Sequence, residues 1–157
     1  MKKYLLNRKL IYNLSLFVVL LDQASKAWAQ SNLEHKNSVV LINNIINLTL
    51  VKNTGAAFSL LSQSTIFLGI LSLIVAITLI IWIWTSKQIR FWQGLGFSLL
   101  LGGTIGNGID RFRLGFVYDF IELIPINFPI FNIADISINL AIICLLINLR
   151  KTNKLSG

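Results

Sequence analysis

The sequence predicts an all-α polytopic membrane protein with about four transmembrane helices. Its 157 residues are 55% hydrophobic and only 13% charged, with a mean hydropathy of +0.72, whereas a soluble domain carries about 25% charged residues. Long stretches contain no charged residue at all: 53–86, 91–109 and 136–149. The length fits one compact domain, 1–157, built around these apolar stretches.

Four segments are apolar enough and long enough to be membrane-spanning helices: 10–29, 64–84, 91–110 and 134–149. The hydrocarbon core of a bilayer is about 30 Å thick, so a helix needs about 20 apolar residues to cross it. The fourth segment is the shortest. We therefore expect its helix to begin slightly before residue 134.

The positive charges lie at the ends of the apolar segments rather than on one polar face. They precede the first segment, fill the second connection and follow the fourth segment: Lys2, Lys3, Arg8, Lys9, Lys87, Arg90, Arg150, Lys151 and Lys154. By the positive-inside rule, both termini and the second connection are cytoplasmic. The net charge of +8 therefore does not indicate nucleic-acid binding. The longer connections, 30–63 and 111–133, face outward, and we expect function there.

The first segment also has features of a cleavable signal peptide: a basic start, an apolar run over 10–21 and small residues at Ala27 and Ala29. Asp22 and Lys26 stand between that run and the supposed cleavage site, which argues against cleavage. They are four residues apart on one helix face, so we expect them to pair with each other or with neighbours.

The first outward connection contains Asn-Thr-Gly-Ala-Ala-Phe at 53–58. Gly55 allows a peptide backbone to approach closely, and the Asn53 amide can hydrogen-bond it, although the same residues also suit an ordinary turn. Residues 48–51 and 55–59 read weakly as short strands. The apolar, Pro-containing stretch 121–131 is expected at the membrane interface.

The third segment ends with a group of polar residues at its outward end. Gly102 and Gly106 form a small-residue pattern typical of helix packing. Asn107, Asp110 and Arg111 are harder to explain by packing alone. They could hydrogen-bond a substrate backbone, and Arg111 could lower the pKa of a carboxylate beside it.

Two further acids, Asp119 and Asp135, lie among aromatic and aliphatic residues at the same predicted boundary. Two carboxylates brought together in an apolar site share a proton, so one can act as a base toward water while the other protonates a carbonyl. This is the chemistry of an aspartic protease. From these residues alone, Asp110 rivals Asp119 as the partner of Asp135.

Other hydrolytic mechanisms lack essential residues. His35 is the single histidine and no His-Glu-x-x-His motif occurs, so a zinc protease is excluded. A Cys–His catalytic pair is disfavoured because Cys144 lies toward the opposite membrane face from His35. A Ser–Lys pair is disfavoured because the adjacent residues Ser25 and Lys26 point to different helix faces.

Two classes of protein other than enzymes fit the sequence less well. A proton-coupled transporter needs acids distributed through the bilayer, whereas Asp110, Asp119 and Asp135 cluster at one face. A non-catalytic scaffold gives no reason for acids flanked by Asn and Arg at one depth.

Five ordered motifs resemble those of the lipoprotein signal peptidases, also called signal peptidase II. They occupy 22–26, 53–58, 102–111, 117–121 and 131–135, and so extend over nearly the whole chain. The resemblance implies that Asp119 and Asp135 are catalytic. It further implies substrate-binding and supporting residues: Asn53, Gly55, Asn107, Arg111 and Asn132 for binding, with Asp22, Lys26 and Asp110 as structural support.

The implied reaction is hydrolysis of the peptide bond before a lipid-modified cysteine in a bacterial prolipoprotein. The implied partners are a diacylglyceryl-modified prolipoprotein, membrane lipid and cyclic peptide inhibitors of the globomycin type, with no metal or cofactor. The implied fold has four transmembrane helices and a small extracytoplasmic β cradle, built from part of 43–60. The implied location is the bacterial cytoplasmic (inner) membrane, with the site facing outward.

Overall fold

A computed structural model describes residues 5–36, 38–55, 64–126 and 128–153. Over these residues the protein is mostly helical, with one small antiparallel sheet. The elements follow in the order α1 (Arg8–Leu33), β1 (Val39–Ile42), β2 (Ile46–Asn53), α2 (Thr65–Thr85), α3 (Phe91–Leu114), β3 (Val117–Leu123) and α4 (Ile133–Asn153).

A helix occupies each of the four apolar segments, but α1, α3 and α4 extend beyond the predicted ends. Helix α1 continues to Leu33 because its last turns pack on the sheet, where Ala29 and Leu33 join Leu48 and Phe120 in one buried cluster. Helix α3 ends at Leu114 and is capped by Gly115, which has a φ of 78° and donates its N–H to the Arg111 carbonyl. Glycine adopts this left-handed conformation without steric cost.

Over the described residues, α2 and α4 are the two helices that are both long and apolar enough to cross a membrane. Helices α1 and α3 have the length but also carry polar and charged side chains. Three of the charged side chains point into the protein: Asp22, Lys26 and Asp110 are each 3% exposed or less.

Helix α3 is central and packs against α1, α2 and α4. Its glycines allow this close approach. A Cβ at Gly102 would lie 2.7 Å from the Ser15 carbonyl oxygen of α1, and one at Gly103 would lie 2.6 Å from the Ala134 carbonyl oxygen of α4. The expectation that Gly102 serves helix packing agrees with this geometry. Further along, α1, α2, α3 and the connection between α2 and α3 share an apolar core of Ile11, Ala76, Leu79, Ile83, Ile89 and Leu101.

The sheet has the order β1-β2-β3 and is antiparallel throughout. The strand predicted at 48–51 lies within β2 and is confirmed. The predicted source of the sheet, 43–60, was too narrow, because β1 begins at Val39 and β3 comes from the second outward connection. Most of the other predicted strand, 55–59, lies outside the described residues.

The chain after β3 folds back along it. Phe131 and Ile121 exchange backbone hydrogen bonds of 2.9 and 3.1 Å, and Ile124 donates to the Ile45 carbonyl at 3.0 Å. The return brings residue 132, at the start of α4, beside strand β3. Residues 121–131 are thus partly held by strand-like pairing, which their apolar composition did not indicate.

Candidate active site

Asn132 and Asp135 form a reciprocal cap at the start of helix α4. The Asn132 Oδ1 accepts from the backbone N–H of Asp135 at 3.0 Å, and the Asp135 Oδ2 accepts from the backbone N–H of Asn132 at 3.1 Å. This is the capping-box arrangement, which satisfies amides that the first helical turn leaves free. It fixes the Asp135 carboxylate, which is half-buried.

Asp119 lies on β3 with only 2% of its surface exposed. Its two oxygens each accept from an amide: Oδ2 from Asn53 Nδ2 at 2.8 Å and Oδ1 from Asn132 Nδ2 at 2.6 Å. Asn53 reaches it from the neighbouring strand β2, whose residue Val51 is the register partner of Asp119. Asn132 therefore contacts both acids.

Asn107 on α3 binds the second acid. Its Nδ2 donates to Asp135 Oδ1 at 2.9 Å, while its Oδ1 accepts from Lys26 Nζ at 2.8 Å and from Asn132 Nδ2 at 3.1 Å. Three amide side chains thus hold the two carboxylates: Asn53 from β2, Asn107 from α3 and Asn132 from the residue before α4.

The environment of Asp119 favours its protonated form. The pKa of Asp119 is raised from 3.8 to about 6, chiefly by burial and also by the negative charge of Asp135, while the hydrogen bonds from Asn53 and Asn132 oppose the shift. Burial disfavours the charged form, and a second carboxylate nearby repels it. The pair can therefore hold one shared proton near neutral pH, as acid–base hydrolysis requires.

A buried cation supports the site from helix α1. The Nζ of Lys26 lies 2.8 Å from Asp22 Oδ2, from Asp110 Oδ2 and from Asn107 Oδ1. Lys26 was predicted to pair with Asp22 or with other neighbours, and it does both. Asp110 belongs to this cluster and also accepts from Gln23 Nε2 at 2.9 Å.

Asp22 joins helix α1 to the start of α4. Its Oδ1 accepts from the backbone N–H of Ala134 at 3.0 Å, so it satisfies one of the free amides of the first turn of α4. Gly106 of α3 faces the Asp22 carboxylate and leaves room for it. A Cβ at Gly106 would lie 2.5 Å from Asp22 Oδ2.

A cavity of about 630 Å³ opens beside the two acids. Its lining consists of Val51, Lys52, Asn53, Thr54, Gly55, Asn107, Arg111, Val117, Asp119, Phe128, Pro129, Ile130, Phe131, Asp135, Ile138 and Asn139. Of the residues implied to bind substrate, Asn53, Gly55, Asn107 and Arg111 are on this wall. Asn132 is fully buried behind the acids and holds them instead.

The loop after β2 is held against α3 at the rim of the cavity. The Gly55 N–H donates to Asn53 Oδ1 at 2.9 Å, and the Gly55 carbonyl accepts from Arg111 Nη2 at 3.4 Å. The remainder of the 53–58 motif, residues 56–58, lies outside the described residues.

Gln23 and Asn139 lie at or near the site, but the sequence did not predict a role for them. Gln23 Nε2 donates to the Gly106 carbonyl at 3.2 Å as well as to Asp110. Asn139 lies one helical turn after Asp135 and reaches the cavity wall. The four-residue spacing from Asp135 could have placed Asn139 on the same helix face. The contact of Gln23 could not be predicted in this way, because it depends on how α1 packs against α3.

The sequence profile of the family described as Signal peptidase (SPase) II matches residues 14–151. The chain belongs to this family. The resemblance found in the five motifs is thereby confirmed. Among the described residues, no group of three or more His, Cys, Asp or Glu side chains is placed to hold a metal ion.

Individual relatives cover nearly the full chain. A protein of Parasynechococcus marenigrum named lipoprotein signal peptidase is 52% identical over 92% of this chain and 91% of its own length. One of the same name from Nostoc punctiforme is 40% identical over 97% of both chains. A solved structure described as a bacterial membrane enzyme is 33% identical with a TM-score of 0.88, and covers 99% of this chain and 95% of its own.

Proposed function

We propose that this chain is a membrane aspartic endopeptidase that removes signal peptides from diacylglyceryl-modified prolipoproteins by cleaving before the lipidated cysteine. The observation that carries the proposal is the arrangement of Asp119 and Asp135, which are both bonded to Asn132 at the wall of one cavity. Membership of the signal peptidase II family and relatives named lipoprotein signal peptidase support the substrate class.

In the proposed mechanism, the two carboxylates share one proton. The raised pKa of Asp119, about 6, makes it the member that holds the proton and polarises the scissile carbonyl. Asp135, half-buried and bonded to two N–H donors, is then the base that takes a proton from the attacking water. Returning that proton to the leaving amine completes hydrolysis.

Substrate is held by polar groups on the cavity wall. Asn53 and Gly55 lie at the rim next to Arg111, whose guanidinium can donate to peptide carbonyls. We propose these three residues and Asn107 as the groups that align the peptide. The cavity volume of about 630 Å³ suits one short peptide segment or a cyclic peptide inhibitor of the globomycin type.

We propose that all four helices span the cytoplasmic membrane as a single integral membrane domain, 1–157. Helices α1 and α3 have 26 and 24 residues; at 1.5 Å per residue each exceeds the hydrocarbon thickness of about 30 Å. Their charged side chains, Asp22, Lys26 and Asp110, are buried inside the protein rather than facing lipid. The positive charges at the segment ends make both termini cytoplasmic, so the cavity faces outward.

The lipid on the substrate cysteine should dominate recognition. Each acyl methylene buried in the bilayer beside the helices contributes about 0.8 kcal/mol. A hydrogen bond from Asn53, Asn107 or Arg111 contributes only about 1–3 kcal/mol. Lipid anchoring also holds the scissile bond at the depth of the two acids, which lowers the entropic cost of alignment.

The test is cleavage of a diacylglyceryl-modified prolipoprotein by purified wild-type protein and three variants. Asp119→Asn and Asp135→Asn should each abolish signal-peptide release, because an amide cannot exchange the shared proton. Glu122→Gln is the matched control: Glu122 lies on the same strand but bonds Thr49 instead of the acids, so its variant should cleave normally. Retained turnover in either Asp variant would refute the dyad.

The same assay without the diacylglyceryl group tests the role of the lipid. We expect cleavage to be lost or to fall steeply when only that group is removed. Equal efficiency on both substrates would contradict lipid recognition while leaving the peptidase activity intact.

A further inference from the structure

We propose that Lys26 is a positioning residue for the reaction: it fixes the orientation of the Asn107 amide, so that the amide donates a hydrogen bond to Asp135. This inference rests on the proposed function and deepens it. Lys26 itself is 3% exposed and is absent from the cavity wall, so it acts without touching substrate.

The orientation of Asn107 follows from the chemistry of its neighbours. An ammonium group has three donors and no acceptor. The Lys26 Nζ lies 2.8 Å from the Asn107 side chain, so the oxygen of that amide must face it. The NH2 group is then left pointing at Asp135 Oδ1, 2.9 Å away.

A rotated amide would be unfavourable on every side. Its NH2 would face the Lys26 ammonium and the Asn132 Nδ2 group, which now donates to Asn107 Oδ1 at 3.1 Å. Its oxygen would face the Asp135 carboxylate. Lys26 supplies the only full positive charge in this set, so removing it weakens the preference for the productive orientation.

The remaining contacts of Lys26 fix its own position. Asp22 and Asp110 each approach Nζ to 2.8 Å. Lys26 Nζ donates hydrogen bonds to Asp22 and Asn107, and the Asp110 contact is an ion pair. The cation therefore has no freedom to leave the amide for water, since its side chain is almost fully buried.

The expected consequence is a change in the pH dependence of cleavage. The charged groups around the start of α4 are Asp22 and Lys26 from α1, Asp110 and Arg111 from α3, Asp119 from β3 and Lys52 from β2. Asp135 itself accepts from Asn107 Nδ2 and from the backbone N–H of Asn132, and of these two donors Asn107 is the one whose side chain contacts Lys26. Losing the bond from Asn107 makes the base protonate more readily, so the acidic limb of the rate profile moves to higher pH.

The experiment is a double-variant cycle with Lys26→Met and Asn107→Ala, using the full chain and a lipidated prolipoprotein. Lys26→Met should move the acidic limb of kcat upward by about one pH unit, with little change in KM. Asn107→Ala should move it similarly. In the double variant Lys26→Met should add no further shift of the acidic limb, because its effect on Asp135 passes through Asn107.

A second pair of variants covers the case in which Lys26→Met fails to fold. Lys26→Met/Asp110→Asn keeps the net charge of the cluster, since one cation and one carboxylate are removed together. Asp110→Asn alone is the matched control, because it disturbs the same cluster but leaves the bond from Lys26 to Asn107. The double variant Lys26→Met/Asp110→Asn should shift the acidic limb of the rate profile to higher pH, and Asp110→Asn alone should not.

Additive shifts in the cycle would overturn the proposal, as would a Lys26 variant that slows cleavage equally at every pH. The second result would make Lys26 merely structural. Failure of the wild-type protein to cleave the substrate at all would instead contradict the proposed function, so the two failures are distinguishable.

Discussion

Gly106→Ala should damage both the stability and the activity of the protein. A Cβ at this position would lie 2.5 Å from Asp22 Oδ2 and 3.1 Å from Asp22 Cγ. Ordinary van der Waals contact begins near 3.4 Å, so the carboxylate must move by about 1 Å. That movement stretches its bonds to the Lys26 ammonium and to the Ala134 N–H, now 2.8 and 3.0 Å.

The magnitude follows from two opposing terms. Loss of one hydrogen bond to a charged group costs about 1.5–3 kcal/mol, while alanine in a helix interior is favoured over glycine by about 1 kcal/mol. The net effect is a destabilisation of about 0.5–2 kcal/mol. For a chain of this size we expect the melting temperature to fall by about 1–8 °C.

Gly108→Ala is the matched control two residues along the same helix. Its added Cβ would meet only Ser72, with the nearest atom at 3.3 Å, so the helix-propensity gain should cancel the small rearrangement. Thermal unfolding in detergent and signal-peptide release should be measured for both variants. If Gly106→Ala were as stable and as active as Gly108→Ala, the close contact with Asp22 would have no energetic importance.

Two other predictions concern single groups. Burial raises the pKa of Asp119 from 3.8 to about 6, so its contribution to stability is complete below about pH 3.8 and is lost as the pH rises through about 6. The melting temperature should fall over that interval, and less steeply in Asp119→Asn; equal slopes would contradict the shift. Gly115→Ala should cost about 1 kcal/mol through backbone strain alone, because φ is 78° and no atom lies within 4 Å of an added Cβ. Gly115→Asn should lose less, and an unchanged melting temperature for Gly115→Ala would show that the helix end can adjust.

The helices could be predicted because their signal is local. Uninterrupted apolar runs set the positions of α2 and α4, and the motif from Asn132 to Asp135 has the spacing of a capping box. The sheet was harder to predict, since β2 and β3 are far apart in sequence. Nothing local in Val117–Leu123 identifies its partner strand.

Asp119 was preferred over Asp110 on the family resemblance, because the residues alone do not give the rotation of α3 about its own axis. Asn107 and Arg111 are four residues apart and both reach the cavity, whereas Asp110 points toward α1 and its Lys26. Sequence spacing gives the relative angles of these side chains. Which side of α3 faces the cavity depends on how the neighbouring helices pack against its glycines. That packing is tertiary structure and cannot be derived from sequence spacing.

The cap formed by Asn132 joins the stability of helix α4 to the integrity of the site. Because the Asp135 N–H is bonded to Asn132 Oδ1, it can exchange with solvent deuterium only when the first helical turn opens. That opening also releases both carboxylates from Asn132. The exchange rate of this one amide hydrogen therefore measures the fraction of molecules with an assembled site, and a ligand that binds the assembled form will slow it even when no bond is cleaved.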